Sequence, residues 1–389
     1  MNYRKFGRIN WQVSVLGFGA MRLPILNGDP TKINEPEAVK MIRYAVDHGV
    51  NYVDTAYVYH GGNSEVVVGK ALKGEYRNKA KVATKMPIRQ INSKDDFDKV
   101  FNEQLRRLQR NYIDFYLFHG LNRDTWKKAL ELNALKWVER QVVDGKIKYF
   151  GFSFHDEFKV FKEVIDSYDW DFCQIQYNYV DFESSRQTPG REGLEYAASK
   201  GLAVVIMEPI KGGLLAVTPP KEIKALWDDA GIKRTPAELA LLWVFSHPEV
   251  AVVLSGMTTM KQVIENVNTA CRLSQDTLSS EELKAIERIR EKHREYGFVG
   301  CTGCRYCTPC PQGVSIPEIL AFYNENLRSF DEKEKREAIE KYYANIPKEN
   351  RIDVCIKCGE CEEKCPQNLP IRNLISHFQI ILNFAKISG

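Results

Sequence analysis

Eight cysteines dominate the C-terminal quarter of this 389-residue chain. Cys301, Cys304, Cys307 and Cys310 precede Pro311, and Cys355, Cys358, Cys361 and Cys365 precede Pro366. C-x2-C pairs can serve zinc, but three cysteines at successive three-residue spacing crowd a tetrahedral ion. C-x2-C-x2-C-x3-C-P is instead a spacing for two iron–sulfur clusters, in which the fourth cysteine ligates the other cluster. The second run matches it fully; the first has two residues in its last gap instead of three. Crossed ligation gives one [4Fe–4S] cluster to Cys301, Cys304, Cys307 and Cys365. The other takes Cys355, Cys358, Cys361 and Cys310. The irregular gap and the long helical insert leave the crossing open, and zinc remains the alternative metal. Cys173 and Cys271 lie outside the runs and are expected to be buried apolar residues. The opening "MNYRKFGRINWQV" carries no apolar leader, so a reducing, cytoplasmic setting is expected for these thiols.

A second set of residues could do acid–base chemistry. Asp54, Thr55, Lys85, His119, Ser153 and Gln174 each close a short apolar run. Taken singly, a lysine there points to solvent and a histidine is a hydrogen-bonded structural residue. Converging from several strands, they suit carbonyl reduction. A hydride arriving at carbonyl carbon leaves an alkoxide that needs a proton. A tyrosine, with an ordinary pKa near 10, is a poor acid at neutral pH. A nearby ammonium favours its phenolate, an aspartate keeps the ammonium charged, and a histidine can orient the carbonyl oxygen.

The elements that must position these residues alternate. Apolar runs at 14–21, 52–56, 81–86, 113–120, 148–155, 172–178, 202–209 and 250–257 are separated by helix-period segments such as 35–49, 95–110 and 235–247. Pro36 and Pro236 suit first helical turns, and Gly49 suits a left-handed helix end. Eight strand-then-helix units predict an α/β fold, a (β/α)8 TIM barrel, with chemistry at the C-terminal strand ends. A doubly wound open sheet is the runner-up. From about residue 272 charged helices take over. The expected division is a barrel over 1–296 and a small, mainly helical iron–sulfur domain over 297–389.

The segments "VDTAYVYHGGNSEVVVGKAL", "VATK", "DFYLFHG", "LGFGAMRLP" and "LSGMTTMKQVIENV" resemble the aldo-keto reductase superfamily over roughly residues 1–290. The whole chain is similar to members carrying a C-terminal ferredoxin-like domain. The resemblance implies a catalytic tetrad of Asp54, Tyr59, Lys85 and His119, with Tyr59 as proton donor and Tyr57 as the neighbour that could be mistaken for it. It also implies a nicotinamide coenzyme held by Ser153 and Gln174. Phe154 replaces the usual Asn, and Met207 replaces the aromatic residue that often stacks on the nicotinamide ring. Gly212 and Gly213 would allow close approach to a pyrophosphate. The segment matching the adenine end supplies Ser255, Gly256, Gln262, Glu265 and Asn266. Only Lys261 offers a cation there, so NADH is expected over NADPH.

With 55 basic against 51 acidic residues, the chain has no charge excess to suggest nucleic acid or a membrane surface. The C-terminal "LISHFQIILNFAKI" is apolar on one helical face and is expected to dock on the protein. The leading expectation is a carbonyl/alcohol oxidoreductase linked to two clusters that exchange electrons with an external redox partner. The alternatives are an iron–sulfur electron carrier whose barrel is a docking platform, and a reductase with purely structural clusters.

Overall fold

A computed structural model describes residues 1–273, 277–326 and 332–387. It opens with an antiparallel hairpin, β1 (Tyr3–Phe6) and β2 (Ile9–Ser14). Eight parallel strands then close on themselves: β3 (Leu16–Gly19), β4 (Tyr52–Asp54), β5 (Lys81–Met86), β6 (Ile113–Leu121), β7 (Ile147–Phe154), β8 (Phe172–Gln176), β9 (Ala203–Met207) and β10 (Val250–Gly256). Each pairs with its sequence neighbour, and β10 closes on β3. The closed barrel replaces the open-sheet alternative. The expected runs become strands because both strand faces are buried, so apolar side chains stand nearly without a break.

Helices between the strands begin where the sequence supplies caps. Asn34 caps Glu35–Asp47 with Pro36 in its first turn, and Thr235 caps Pro236–Phe245. Lys94–Leu108 opens with a Ser93/Asp96 capping box. Gly49, just beyond the first of these helices, has φ +97°.

The hairpin plugs one end of the barrel. Phe6, Ile9 and Val13 pack with Tyr52, Phe115, Phe172, Ala203 and Val252, which lie at or near the N-terminal ends of their strands. Gly7 makes the turn at φ +55°, where a Cβ would strike the backbone of Ala203. With that end filled, the polar residues are left at the C-terminal mouth.

The chain divides into two compact units. One comprises Met1–Ile210, Ala216–Thr218 and Ala230–Lys284; the other comprises Lys211–Leu215, Pro219–Asp229 and Ala285–Gly389. The expected boundary near 297 therefore falls inside the second unit. The reason lies in the helix Ser280–Tyr296: Tyr296 bonds Glu222 and stacks on Phe298 at 5.6 Å, so the helix end is joined both to 219–229 and to the start of the cysteine-bearing segment.

The second unit is helical among its described residues. Ile316–Asn326, Glu332–Asn345 and Ile371–Ile387 bury Ile319, Leu320, Tyr342, Ile375, Phe378 and Leu382 around the cysteines. The last helix docks by Ile371, Ile375, Phe378 and Leu382, a single face at helical spacing. Among the described residues no helix is long and apolar enough to cross a membrane.

Candidate functional site

β4 and β5 are parallel neighbours with Asp54 opposite Ala83, so Lys85 stands two residues nearer the mouth than Asp54's partner. Its Nζ donates to Asp54 Oδ1 at 2.6 Å, to the Thr55 carbonyl at 2.7 Å and to the Tyr59 hydroxyl at 3.4 Å. Lys85 and Asp54 are almost wholly buried. Burial pushes the Asp54 carboxyl up and the Lys85 ammonium down, while each draws the other back toward its charged form. With three acceptors around one Nζ, the charged pair is the form this geometry fits. His119, on β6, sets its ring edge-on to Tyr59 with centroids 5.8 Å apart. Burial holds His119 well below the ordinary histidine value, and Lys85 pushes it further, so the ring is neutral.

Tyr59 reaches this position from a tight turn, Tyr59–Gly62, with His60, Gly61 and Gly62 all at positive φ. His60 anchors it, accepting from the Leu23 amide through Nε2 and bonding the Pro30 carbonyl through Nδ1. Gly62 holds φ +94°, a backbone conformation that favours glycine, and a Cβ there would also meet the Arg107 guanidinium at 2.7 Å. Behind the turn lies a buried network that the sequence reading missed. Glu65 accepts from Thr84 at 2.6 Å, Gln104 at 2.9 Å and Arg107 at 3.2 Å, and Gln104 also donates to the Lys85 carbonyl. Arg107 lies over the ring of Tyr57, 4.4 Å from its centroid. The two tyrosines are thereby separated, Tyr57 to Arg107 and Tyr59 to Lys85.

The expected coenzyme residues fall differently. Ser153 and Gln174 are buried on neighbouring strands and directly paired in register. Ser153 Oγ accepts from the Gly120 amide at 2.8 Å. Gln174 Oε1 is buried without a partner, an acceptor that fits the amide hydrogens of a carboxamide. Met207 closes β9. Asn266 donates to Ser255 Oγ at 2.9 Å, and Gln262 spends its side-chain oxygen on the amides of Thr258 and Thr259 as a helix cap. Lys261 is largely exposed and stands 3.8 Å from Glu265. Arg22, not foreseen from the sequence, lies against Gly256 and 3.7 Å from Glu208. A Cβ on Gly212 would lie 2.5 Å from the Thr302 carbonyl oxygen, so the close approach at Gly212 is made by Thr302; Gly213 faces open space. Sequence alone could not have signalled that Arg89 and His155 also stand near His119, close enough to depress its basicity.

In the second unit the thiols gather across the two runs. Cys307 lies beside Cys301, Cys304 and Cys365, and burial and these thiols together push it up to about 12. Cys310 lines one cavity with Cys307, Cys355, Cys358 and Cys361, together with Pro311, Val314 and Ile356. Cys361, beside Cys355, is pushed up to about 11, chiefly by burial. Cys365 is buried in the unit's core and Cys358 is exposed. Among the described residues no three His, Cys, Asp or Glu side chains close around one point as a single ion requires. The eight thiols as a donor set, soft and grouped in fours, fit iron–sulfur clusters. Cys173 is fully buried, as expected; Cys271 is only partly so, at the end of the helix Met260–Arg272.

Each part of the chain is similar to known proteins or families. L-galactose dehydrogenase of Arabidopsis thaliana is 28% identical over 313 residues, covering 74% of this chain and 94% of that protein. The NADH-specific methylglyoxal reductase of Escherichia coli is 27% identical over 335 residues, covering 72% and 98%. The holo structure of aldo-keto reductase AKR11C1 from Bacillus halodurans is 29% identical, with a TM-score of 0.61 over 74% of this chain and 96% of that one. Residues 300–369 match the 4Fe-4S dicluster domain. Residues 15–291, which hold every strand of the closed barrel, match the aldo/keto reductase family, and the chain belongs to it.

Proposed function

We propose that the barrel interconverts a carbonyl and an alcohol with a nicotinamide coenzyme, and that two [4Fe–4S] clusters in the second unit carry electrons to or from an external partner. The observation that carries the first part is the 3.4 Å contact from Lys85 Nζ to the Tyr59 hydroxyl, with Asp54 behind it. The coenzyme, when bound, supplies or takes the hydride. Tyr59 gives its proton to the substrate oxygen as that oxygen gains charge. Lys85 stabilises the phenolate left behind, Asp54 holds Lys85 charged and in place, and neutral His119 donates to the same substrate oxygen and orients it. Ser153 and Gln174 fit the carboxamide, and Met207, Ser255, Gly256, Glu265 and Asn266 are assigned to the remainder of the coenzyme.

NADH is the proposed coenzyme. Gln262 is engaged as a cap, Lys261 faces solvent, and Arg22 already faces Glu208. A missing charge-assisted contact to the 2′-phosphate costs NADPH roughly tenfold or more in affinity. The relatives named for L-galactose and methylglyoxal make small aldehydes and sugars the first substrates to try.

Crossed ligation is the reading the thiol groups favour, with Cys301, Cys304, Cys307 and Cys365 around one cluster and Cys310, Cys355, Cys358 and Cys361 around the other. A cluster, when bound, passes single electrons, whereas a hydride carries two, so a one-electron partner protein is needed to use them. Ten cysteines, eight of them in two runs at metal-ligand spacing, suit a reducing cytoplasm.

The test is anaerobically purified protein titrated with NADH and NADPH, then offered a panel of sugars, keto acids and quinone-like carbonyls. Coenzyme oxidation by at least one carbonyl, with tighter binding of NADH, is expected. Absence of coenzyme binding overturns the barrel reading, and a lower dissociation constant for NADPH overturns the coenzyme preference.

A further inference from the structure

His155 directly succeeds the last residue of β7, and its amide donates to the carbonyl of Leu121, the last residue of β6. Strand alternation up to Phe154, and the ladder bond that carries it one residue further, give the direction of its ring. Phe154 packs outward on Phe161, 5.0 Å between centroids, and Phe118 packs on Phe150 at 4.8 Å. Residues one step along from these, His119 and His155, therefore turn to the opposite side, the barrel mouth. Their proximity is also electrostatic: His155 and Arg89 both act on His119, and Arg89 acts on His155. Four consecutive strands thus bring Tyr59, Arg89, His119 and His155 to one mouth.

The backbone of Gln187 bonds the His155 ring, and Nδ1 is buried without a partner, so the bonded nitrogen is Nε2. Burial and the Arg89 cation hold the ring at about 4, so it is neutral and its free nitrogen is an acceptor. A buried acceptor beside the reacting groups, with no donor among the described residues, is an address for a donor on the substrate. Proton transfer from Tyr59, with Lys85, Asp54 and His119 in support, makes no use of it.

We propose that His155 Nδ1 accepts a hydrogen bond from a substrate hydroxyl, so that the preferred substrates are hydroxylated carbonyls. The proposal rests on reading the mouth as a carbonyl-reducing site. A site built to bond a hydroxyl discriminates against the analogue lacking it, because its own polar atom is then left unpaired.

Glyceraldehyde and propionaldehyde are the paired probes, compared by the ratio of kcat/KM. The wild type should prefer glyceraldehyde by about tenfold or more. His155→Phe, similar in size but with no acceptor, should bring the ratio near one, and His155→Gln should retain part of the preference. A purely structural defect would lower both substrates together and leave the ratio standing. A wild-type ratio near one, or an unchanged ratio in His155→Phe, overturns the proposal. Should neither aldehyde react, the wider carbonyl panel and coenzyme binding decide the carbonyl-reducing reading by themselves. Nitrogen-15 NMR of histidine-labelled wild type then decides the hydroxyl-binding proposal: an Nδ1 shift with glycerol but not 1-propanol upholds it, and equal shifts or none overturn it.

Discussion

Arg107 covers the ring of Tyr57 while Lys85 reaches the hydroxyl of Tyr59, so two tyrosines separated by a single residue are assigned to two different cations. Tyr59→Phe should lower kcat by about 10² to 10⁴ with coenzyme still bound, the range for loss of a general acid. Tyr57→Phe should lower it only a few-fold. Steady-state kinetics on both variants checks this, and near-normal turnover in Tyr59→Phe would sink the assignment.

The network behind the turn makes a stability prediction. Glu65 has no exposed surface and depends on Arg107, Gln104 and Thr84 to offset the cost of burying its carboxylate. Arg107→Ala leaves that charge without its cation and should destabilise the barrel by about 3 kcal/mol or more. Glu65→Gln removes the charge itself and should cost less. Urea unfolding monitored by tryptophan fluorescence measures both; equal midpoints for Arg107→Ala and wild type would be decisive against it.

Acid should weaken the barrel in a definite window. His155 is held at about 4 and His119 also lies well below the ordinary value near 6.5. Below 6.5 the unfolded chain takes up protons that the folded chain refuses. Stability is therefore full above that pH and falls as pH drops toward 4, by at most about 3 kcal/mol for His155. Unfolding midpoints between pH 7 and 5 should fall less steeply in His155→Phe than in wild type. Parallel slopes would show that His155 is not responsible.

The strands were legible because a parallel barrel buries both strand faces, and "VATKM" or "AVVIM" then needs no partner to be recognised. The convergence of Asp54, Tyr59, Lys85 and His119 was legible because Asp54, Lys85 and His119 sit at strand ends and Tyr59 lies in a motif. The hairpin β1–β2 was not, although Tyr3–Phe6 and Ile9–Ser14 flank Gly7: its strands are short and mix charged with apolar residues, unlike the barrel runs. Glu65 and Arg107 are 42 residues apart, and no spacing rule joins them. Arg22, Arg89 and His155 have ordinary sequence contexts; only the closed barrel brings them to the mouth. Gly212 was read for what it permits, a close approach, but the sequence does not say by what.

The thiol groups predict a crossed phenotype. Cys365→Ser should remove the cluster of the first run, and Cys310→Ser that of the second, each leaving about half the iron. Iron analysis and electron paramagnetic resonance distinguish this from uncrossed ligation, in which Cys365→Ser would spare the first run's cluster. If the clusters form a relay, Cys358→Ser should stop turnover driven by artificial one-electron donors while NADH-driven reduction persists. Joint loss of both with a large fall in thermal stability favours a structural role.

The membership of Lys211–Leu215 and Pro219–Asp229 in the second unit bears on how the protein is made. All eight barrel strands have been synthesised once Gly256 is added, and the chain could close its sheet there. The stretches after β9 would still lack the partners that Thr302 and Tyr296 provide. Domains tend to fold in order of emergence from the ribosome. A nascent barrel would thus wait, with one connection unfinished, until the cysteine-bearing segment arrives, and an expression fragment cut at 296 would keep Tyr296 for Glu222 but never supply Thr302 to Gly212.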